Sequence, residues 1–427
     1  MSAMFSALAV RNYRIYAAGG IVSNTGTWMG RVAQDWVVLT ELTDGSASAL
    51  GIVTGLQFLP MLLLAPIGGV LGDRFAKRRV MLVTQSMMAL TAVLMGVLVI
   101  GGGMQLWQMY VLAFAQGAAA AIDAPARQAF VSEMVPPEQL TNAVGLNSAS
   151  FNGGRLLGPG LAGLLIAGIG TGPTLLINAL TFVAVLLALI ALNPTELTPA
   201  PRSGGRGQIR EGVRYVRGRP DIMLIMVLVF VHGTFGMNFQ LTNALMATEV
   251  FGRGVKDFGL VGSVMAIGSF AGALIAARQE RPRWRRLLGA LGGFTLCTLA
   301  VGLAPSWTLY VVLLVPTGLF ALTVMVTANS MVQLSVEPAV RSRVMSLYMA
   351  VFFGGTPLGA PMIGWVGDTF GARWTILIAT VMCGITAVAA TIYLMRTDDL
   401  HLRRGGSLAR PLVLVRGHVQ AMPEPVA

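Results

Sequence analysis

Two charged side chains in one apolar stretch near the amino end have residue types and a spacing suited to proton transfer. Arg31 and Asp35 are four residues apart, so on a helix they share a face and can form an ion pair. An ionisable residue inside a membrane-spanning segment is a functional candidate by default. Asp35 can take a proton on one side and release it on the other, and a static ion pair near the surface is the alternative interpretation.

Two more polar side chains stand inside apolar stretches further along the chain. Three interpretations of Arg155 are open: it supplies positive charge to a proton relay, it contacts an anionic substrate, or it is a structural arginine held by helix carbonyls. His232 lies near the middle of its stretch, and an imidazole can titrate near neutral pH. A lone histidine is more often a packing residue, so a coupling role and a structural role are both retained for it.

A short charged segment separates two long apolar runs. Residues 69–79 read Gly-Val-Leu-Gly-Asp-Arg-Phe-Ala-Lys-Arg-Arg, with five charges in seven residues. In the hydrocarbon core each charge would cost about 2.5–3.5 kcal/mol. The segment is therefore predicted to be an aqueous turn between two membrane spans.

Composition restricts the class of protein. The 427 residues are 55% hydrophobic and 11% charged, with a mean hydropathy of +0.72, which is typical of a membrane protein. The net charge of +12 does not indicate nucleic-acid binding, because the arginines separate apolar segments. Cys297 and Cys383 suggest neither a disulfide nor a metal site. No Gly-x-x-x-x-Gly-Lys loop is present, so neither ATP nor another cofactor is expected.

Twelve apolar runs are long enough to cross a bilayer, which takes about 20 residues of helix. They are residues 13–40, 47–71, 80–101, 105–127, 140–168, 172–192, 221–247, 257–277, 286–303, 307–332, 343–367 and 373–395. The prediction is an all-α membrane protein with two six-helix bundles (residues 1–192 and 221–395), a polar linker (193–220) and a polar tail without evident fold (396–427).

Positive charge lies almost entirely on one side of this predicted arrangement. The opposite side receives only Arg253, Lys256 and Arg373. Because positively charged loops stay in the cytoplasm, both termini and the linker are predicted to be cytoplasmic.

Residues 69–79 resemble the loop between helices 2 and 3 of the major facilitator superfamily, with Ala76 in place of the usual glycine. The resemblance implies twelve transmembrane helices in two pseudo-symmetric bundles that work by alternating access. It also implies a latch that closes the cytoplasmic side, formed by the loop and by an acidic partner at the inner end of span 4. The residues concerned are Gly69, Gly72, Asp73, Arg74, Lys77, Arg78, Asp123 and Arg127. Asp123 is expected to pair with Lys77 or Arg74, or simply with Arg127 four residues later.

Span 5 resembles the signature of drug–proton antiporters in this superfamily through Gly154, Gly158, Pro159 and Gly163. Small residues at this spacing allow close helix packing, and Pro159 bends the helix. The resemblance implies export, and a plain packing face is the alternative. Span 4 departs from the family, because Ala113 occupies the place of an intramembrane arginine.

Polar and aromatic side chains on spans 1, 2, 5 and 7 form the predicted substrate cavity. They are Asn24, Trp28, Gln34, Gln57, Phe58, Asn147, Asn152, Phe235, Asn238, Phe239, Gln240 and Asn243. A mostly apolar cavity with scattered polar groups suits lipophilic ligands.

Residues 10–395 are similar to bacterial exporters related to enterobactin and macrolide efflux proteins. The expected function is proton-driven export of lipophilic drugs or antibiotics across the bacterial cytoplasmic membrane by a monomer in contact with lipid. A siderophore or metabolite exporter of narrow specificity, a non-transporting receptor or scaffold on the same fold, and an importer are the alternatives. An enzyme is not expected, because no nucleophile–base or metal-ligand cluster is evident.

Overall fold

A computed structural model gives the fold. It describes residues 3–198, 208–277, 283–397, 400–407 and 410–416. For residues 3–4, 65–74, 208–211, 277, 338–339, 342, 397, 400–407 and 410–416 it describes the backbone alone.

The amino-terminal half consists of six long helices that follow one another with short connections. A 3₁₀ helix (Ala3–Ala9) precedes them, a π-helical turn (Val38–Leu42) follows the first, and a short 3₁₀ helix (Pro194–Glu196) follows the sixth. The long helices are α1 (Arg11–Val37), α2 (Ala47–Arg74), α3 (Lys77–Ile100), α4 (Leu106–Met134), α5 (Pro137–Ile169) and α6 (Thr171–Ala191).

The carboxy-terminal half begins with a short amphipathic helix and a long interrupted one. The short helix is α7 (Gln208–Arg217), and the long one consists of α8 (Pro220–Val231), a π-helical turn (His232–Gly236), α9 (Phe239–Leu245) and a second π-helical turn (Met246–Val250). The remaining helices are α10 (Val255–Ala277), α11 (Trp284–Gly302), α12 (Trp307–Ser335), α13 (Pro338–Phe370) and α14 (Ala372–Thr397).

Each of the twelve predicted apolar runs corresponds to one of these long helical segments to within one residue at the ends that extend beyond it. Eight segments of the described chain are long and apolar enough to cross a membrane by length and composition. The other four are α1, α4, α5 and α11. Charged residues such as Asp35 and Asp123, or many glycines, reduce the apolar character of most of them. The total of twelve crossings therefore remains a prediction.

Two segments differ from the sequence-based expectation. The predicted linker contains α7, whose Gly212 lies against the backbone of Arg343 on α13. The tail, for which no fold was predicted, forms an antiparallel hairpin of β1 (Leu400–Ser407) and β2 (Arg410–Arg416), with Leu402 opposite Leu414. That prediction was wrong, because the run of Leu and Val in β2 has high strand propensity despite the polar surroundings.

The two ends of the helical bundle differ in charge. The arginine-poor end is formed by the loops at residues 43–46, 101–105, 251–254 and 303–306. The arginine-rich end is formed by the amino terminus, by the loops at residues 75–76, 135–136 and 336–337, and by the linker. Side-chain bonds hold each end together, as in the bonds from Arg373 to the carbonyl oxygens of Gly302 and Ala304.

The buried apolar residues show where the two halves join. One large cluster contains residues of both halves, such as Val37 and Leu50 together with Leu241 and Ile363, and lies toward the arginine-poor end. Toward the arginine-rich end the described residues form separate clusters, one entirely amino-terminal and one entirely carboxy-terminal. Among the residues whose side chains are described, the halves therefore share a buried apolar cluster toward the arginine-poor end, and the side chains of residues 65–74 lie outside that set.

Candidate functional site

Arg31 lies near the middle of the molecule among aromatic rings. Its guanidinium carbon is 4.9 Å from the ring centroids of both Trp28 and Phe58. Cation–π contacts of this kind contribute about 0.5–2 kcal/mol each. Among the described residues no ion pair within 4 Å links Arg31 to Asp35, and the two charges interact only at longer range. The side chain instead extends toward the rings on its own helix and on α2.

Asp35 is buried where the two halves meet. Its exposed fraction is 2%, and Gln240 of the carboxy-terminal half hydrogen-bonds with its carboxylate. The second carboxylate oxygen, Oδ2, has no hydrogen-bond partner in the described part of the chain. A carboxylate buried with an unsatisfied oxygen is costly, and protonation relieves that cost. Asp35 therefore has the surroundings expected of a group that can exchange a proton.

Three glutamines link the helices beside Asp35. Gln57 Nε2 donates to Gln34 Oε1 (2.7 Å), and Gln34 Nε2 donates to Gln116 Oε1 (2.6 Å). This chain of amides joins α2, α1 and α4. Gln116 was not among the predicted cavity residues, although its type and its place in an apolar run gave the same signal as Gln34.

Arg155 approaches Trp28 from α5. Its guanidinium carbon is 5.7 Å from the Trp28 ring centroid, so both intramembrane arginines are near one indole. Phe151 meets the same indole edge to face, with ring centroids 5.7 Å apart. One turn earlier on α1, Asn24 donates to Ser150 Oγ (2.8 Å). The structure thus brings together residues that the sequence could only place on separate spans.

The predicted cavity residues of the carboxy-terminal half separate into two groups. Phe235, Asn238 and Phe239 line a small cavity together with residues of α11 and α14. Asn243 instead accepts a hydrogen bond from Tyr310 OH (2.8 Å) inside that half, which accounts for its polarity without a substrate.

His232 and the remaining α5 asparagines lie away from this cluster. The His232 ring is buried and packs edge to face on Phe294, with centroids 4.6 Å apart. Asn152 is exposed and bonds to the Ser148 carbonyl of its own helix (2.9 Å), and Asn147 is half-buried one turn earlier. No described contact joins His232 to Asp35, so its coupling role remains a prediction.

The small residues of α5 are packing sites on two faces. Gly154 and Gly158 lie against α1, where a Cβ would meet the backbone near Asn24 or Thr25. Gly163 lies against Val255 on α10, in the other half. Pro159 lies against glycines of α10, so α5 contacts both halves through the predicted signature.

We expect Gly154→Ala to destabilise the protein, whereas Gly153→Ala is tolerated. A Cβ on Gly154 would stand 2.7 Å from the carbonyl carbon of Asn24, but one on Gly153 would meet nothing within 4 Å. Overpacking against backbone costs about 1–3 kcal/mol, while alanine is favoured over glycine inside a helix by about 0.5–1 kcal/mol. The effect of each substitution on stability is measured as the melting temperature of the purified variant in nanodiscs. Equal melting temperatures for the two variants would contradict this close helix contact.

At the arginine-poor end, Asp368 at the end of α13 binds the first turn of α2. Its Oδ1 accepts from the Ala47 amide (2.7 Å), and its Oδ2 accepts from the Ser48 amide (2.9 Å) and the Ser46 hydroxyl (3.4 Å). The first amides of a helix have no partner within the helix and favour negative charge. These bonds join the two halves, and we name them the Asp368 clasp.

Close backbone packing supports the Asp368 clasp. A Cβ on Gly364 or Gly367 would collide with Ala47. Besides the Asp35–Gln240 bond, hydrogen bonds between the halves connect α5 and α10, where Ser263 Oγ donates to the Leu156 carbonyl (2.7 Å) and accepts from the Gly160 amide (3.1 Å).

Asp368 was missed at the sequence level, although a signal for it exists. The pattern Gly-x-x-Gly-Asp-x-Phe at residues 69–75 recurs at residues 364–370. In each copy a proline stands three positions before the first glycine. The second copy lacks most of the positive charge, so a search guided by basic residues passes over it.

At the arginine-rich end, the described side chains of the predicted latch bond within the amino-terminal half. Lys77 pairs with Glu133 (2.6 Å) rather than with Asp123, which corrects that prediction. Arg78 donates to the carbonyl oxygens at the end of α6, and Asp123 pairs with Arg127 (2.9 Å), the simpler of the predicted alternatives. The side chains of Asp73 and Arg74, and the surroundings of Gly69 and Gly72, lie outside the described residues.

Curated proteins similar to this chain are transporters. They include the staphyloferrin A transporter of Staphylococcus aureus (24% identity, 86% of this chain and 91% of that protein). The multidrug efflux pump Tap of Mycolicibacterium fortuitum is 27% identical (90% and 95%). Macrolide efflux protein A of Streptococcus pyogenes is 24% identical (85% and 91%).

Among solved structures, a bacterial homologue of the human lysosomal transporter Spinster in an inward-facing, occupied conformation shares the fold. It superposes with a TM-score of 0.72 at 16% identity, covering 91% of this chain and 97% of that one.

A family match covers nearly the whole chain. Residues 2–415 match the family described as transmembrane secretion effector, and the family and the relatives are transporters rather than enzymes. The resemblance to the major facilitator superfamily is thereby confirmed. Because the match extends over almost the entire length, this chain belongs to the transmembrane secretion effector family of major facilitator transporters, which are multi-pass membrane proteins that carry small molecules.

Proposed function

We propose that this protein exports lipophilic small molecules, such as drugs or antibiotics, from bacteria by proton antiport with alternating access. One observation supports the proposal: among the residues whose side chains are described, the halves share a buried cluster toward the arginine-poor end and form separate clusters toward the arginine-rich end. With the arginine-rich end in the cytoplasm, as the charge distribution predicts, this arrangement opens the central cluster inward. The protein then acts as a monomer of two six-helix bundles in the cytoplasmic membrane.

Opening and closing in this proposal depend on two similar motifs at opposite ends. The Asp368 clasp holds the arginine-poor end closed. The motif at residues 69–79 latches the arginine-rich end when the protein faces outward, with Asp73 binding the first turn of α13 as Asp368 binds that of α2. Two states that differ by a few kcal/mol can be interconverted by such contacts.

The proton step in this proposal belongs to Asp35. It is a buried carboxylate at the junction of the halves, so rocking the halves changes both its access to water and its contact with Gln240. Export follows if protonation of Asp35 weakens its bond to Gln240 and lets the halves reorient without substrate, because proton and substrate then cross the membrane in opposite directions.

The proposal is tested with proteoliposomes and an imposed pH gradient. Two antibiotics that carry a carboxylate, nalidixate and fusidate, are offered, and uptake into vesicles with an acidic lumen is measured with and without a protonophore and compared with protein-free vesicles. We expect accumulation against the drug's own gradient that the protonophore abolishes. If the accumulation of every drug offered were the same with and without the pH gradient, proton antiport would be ruled out.

A narrower function is the second candidate. Similarity to a staphyloferrin A transporter, together with two arginines in the central cluster, supports export of a siderophore or another secreted metabolite. The same vesicles distinguish the two candidates, because a narrow exporter moves its metabolite and neither of the antibiotics.

A further inference from the structure

We infer that Arg31 and Arg155, on either side of Trp28, bind an anionic group of the transported molecule. The inference rests on the proposed function and names the class of substrate: a small molecule with a flat apolar body and a carboxylate or similar anion.

Two like charges lie near one indole ring. Both guanidinium carbons lie within 6 Å of one indole ring, one reaching it from α1 and the other from α5. Both side chains are half-buried at the centre of the fold. Two cations near each other in a poorly solvated place repel, and a bound anion removes that repulsion.

The guanidiniums of Arg31 and Arg155 have no carboxylate in direct contact among the described residues. Within the described part of the chain, no carboxylate lies within 4 Å of either guanidinium, and neither donates a hydrogen bond to the protein. Trp28 Nε1 is a buried donor that likewise has no partner there. Asp35 supplies one negative charge nearby, whereas Arg31 and Arg155 together carry two positive charges. The cluster therefore has more donors and positive charge than the protein itself satisfies.

Other arginines of this chain have hydrogen-bond partners within the protein. Arg127 is paired with Asp123 at 2.9 Å, and Arg373 donates to two carbonyl oxygens at 2.8 and 2.9 Å. Arg78 donates to carbonyl oxygens at 2.7 and 3.1 Å. These three arginines stabilise the fold through hydrogen bonds to it. Arg31 and Arg155 donate no such bond within the described part of the chain, which indicates that their partner comes from outside the chain.

The aromatic rings of the cluster indicate the shape of the ligand. Phe151 packs on Trp28 and Phe58 faces the Arg31 guanidinium, so the cluster has aromatic rings on α1, α2 and α5. Flat apolar groups pack on such faces, and a carboxylate can bond to a guanidinium in a bidentate manner. A lipophilic cation would meet two positive charges in the same place. The cluster therefore favours aromatic anions over aromatic cations.

Binding is tested with three probes of one shape in nanodiscs of phosphatidylcholine. Calorimetry compares 2-naphthoate, neutral 2-naphthalenemethanol and cationic 2-naphthylmethylamine. We expect 2-naphthoate to bind at least tenfold more tightly than the alcohol, and the amine to bind most weakly. Arg155→Gln and Arg31→Gln should each remove the tenfold preference, and Arg155→Lys should retain part of it.

The matched control is Arg253→Gln. Arg253 also lies over a tryptophan, with its guanidinium carbon 5.6 Å from the Trp307 ring, but it is in an exposed loop. Its replacement should leave naphthoate affinity unchanged. Melting temperatures confirm that each variant is folded, and Arg155→Lys provides an independent measure if Arg155→Gln is unstable.

Three results would overturn the inference. The first is that 2-naphthoate does not bind, or binds no more tightly than the alcohol. The second is that Arg155→Gln and Arg31→Gln both keep the full preference for 2-naphthoate over the alcohol. The third is displacement of naphthoate by added phosphatidylglycerol in the unsubstituted protein but not in Arg155→Gln, which would assign the site to a lipid headgroup. Because these measurements concern binding, they remain informative even if the pH-gradient experiment shows no proton antiport.

Discussion

Asp35→Asn is expected to abolish export driven by a pH gradient while leaving exchange of substrate across the membrane intact. The asparagine keeps the size and the hydrogen bond to Gln240 but cannot carry a proton. For one proton per substrate, each unit of pH difference corresponds to about 1.4 kcal/mol, or about a tenfold concentration ratio. We expect the unsubstituted protein to approach that ratio and the variant to equilibrate at a ratio of one.

The measurement uses reconstituted vesicles and a substrate already shown to be transported. Net accumulation under a gradient of one pH unit is compared with exchange of labelled for unlabelled substrate. Asp257→Asn is the control, since it removes a carboxylate from the first turn of α10 near the arginine-poor end. An accumulation ratio in Asp35→Asn equal to that of the unsubstituted protein would assign the proton to another residue.

Asp368→Ala is expected to shift the protein toward a state open at the arginine-poor end. The substitution removes the acceptor for the Ala47 and Ser48 amides and leaves the first turn of α2 uncapped. Loss of a helix-capping side chain costs about 0.5–2 kcal/mol, which changes the ratio of two states by about two- to thirtyfold. Because Asp368 is exposed, we expect the effect to decrease as salt concentration rises.

The shift is measured as the distance between spin labels at Gly103→Cys and Gly254→Cys, one in each half at the arginine-poor end, after both native cysteines are replaced. Asp44→Asn is the matched control, because Asp44 is an exposed acid in the loop just before α2. The control should keep the short distance, and Asp368→Ala should add a longer one. An unchanged distance distribution would show that the Asp368 clasp does not hold this end closed.

Asp73→Asn should act in the opposite direction if the two motifs are counterparts. It weakens the predicted latch at the arginine-rich end and so favours the state open at that end. The same label pair should then report the short distance more often, provided that the starting population contains both states. A longer distance in this variant would remove Asp73 from the latch.

The positions of the helices follow from hydropathy. Each predicted apolar run coincides with a helical segment to within a few residues, because about 20 apolar residues suffice to cross a bilayer whatever they contact. The family could likewise be inferred from residues 69–79, since glycines and charges at fixed spacing are rare in a plain turn. The π-helical turns in residues 220–250 were not predictable, because π turns depend on local packing that hydropathy does not report.

Side-chain partners were harder to predict, as Lys77 and Arg31 show. Asp123 was the expected partner of Lys77, yet Lys77 pairs with Glu133 at the end of α4. Arg31 and Asp35 share a helix face, yet the arginine reaches back to Trp28 and across to Phe58. Spacing defines which residues can meet on one helix, but an aromatic ring on a neighbouring helix competes for a cation in a place with little water.

The sequence by itself determined the helical segments, the charge asymmetry between the two ends, the family, and most of the polar residues near the centre. Only the tertiary structure decided that Arg155 joins Arg31 at Trp28, that Asp35 meets Gln240, and that Asp368 binds the first amides of α2. The physical reason is distance along the chain. Contacts between residues tens to hundreds of positions apart depend on how each helix is rotated and tilted against its neighbours, and that is set by the packing of all of them together.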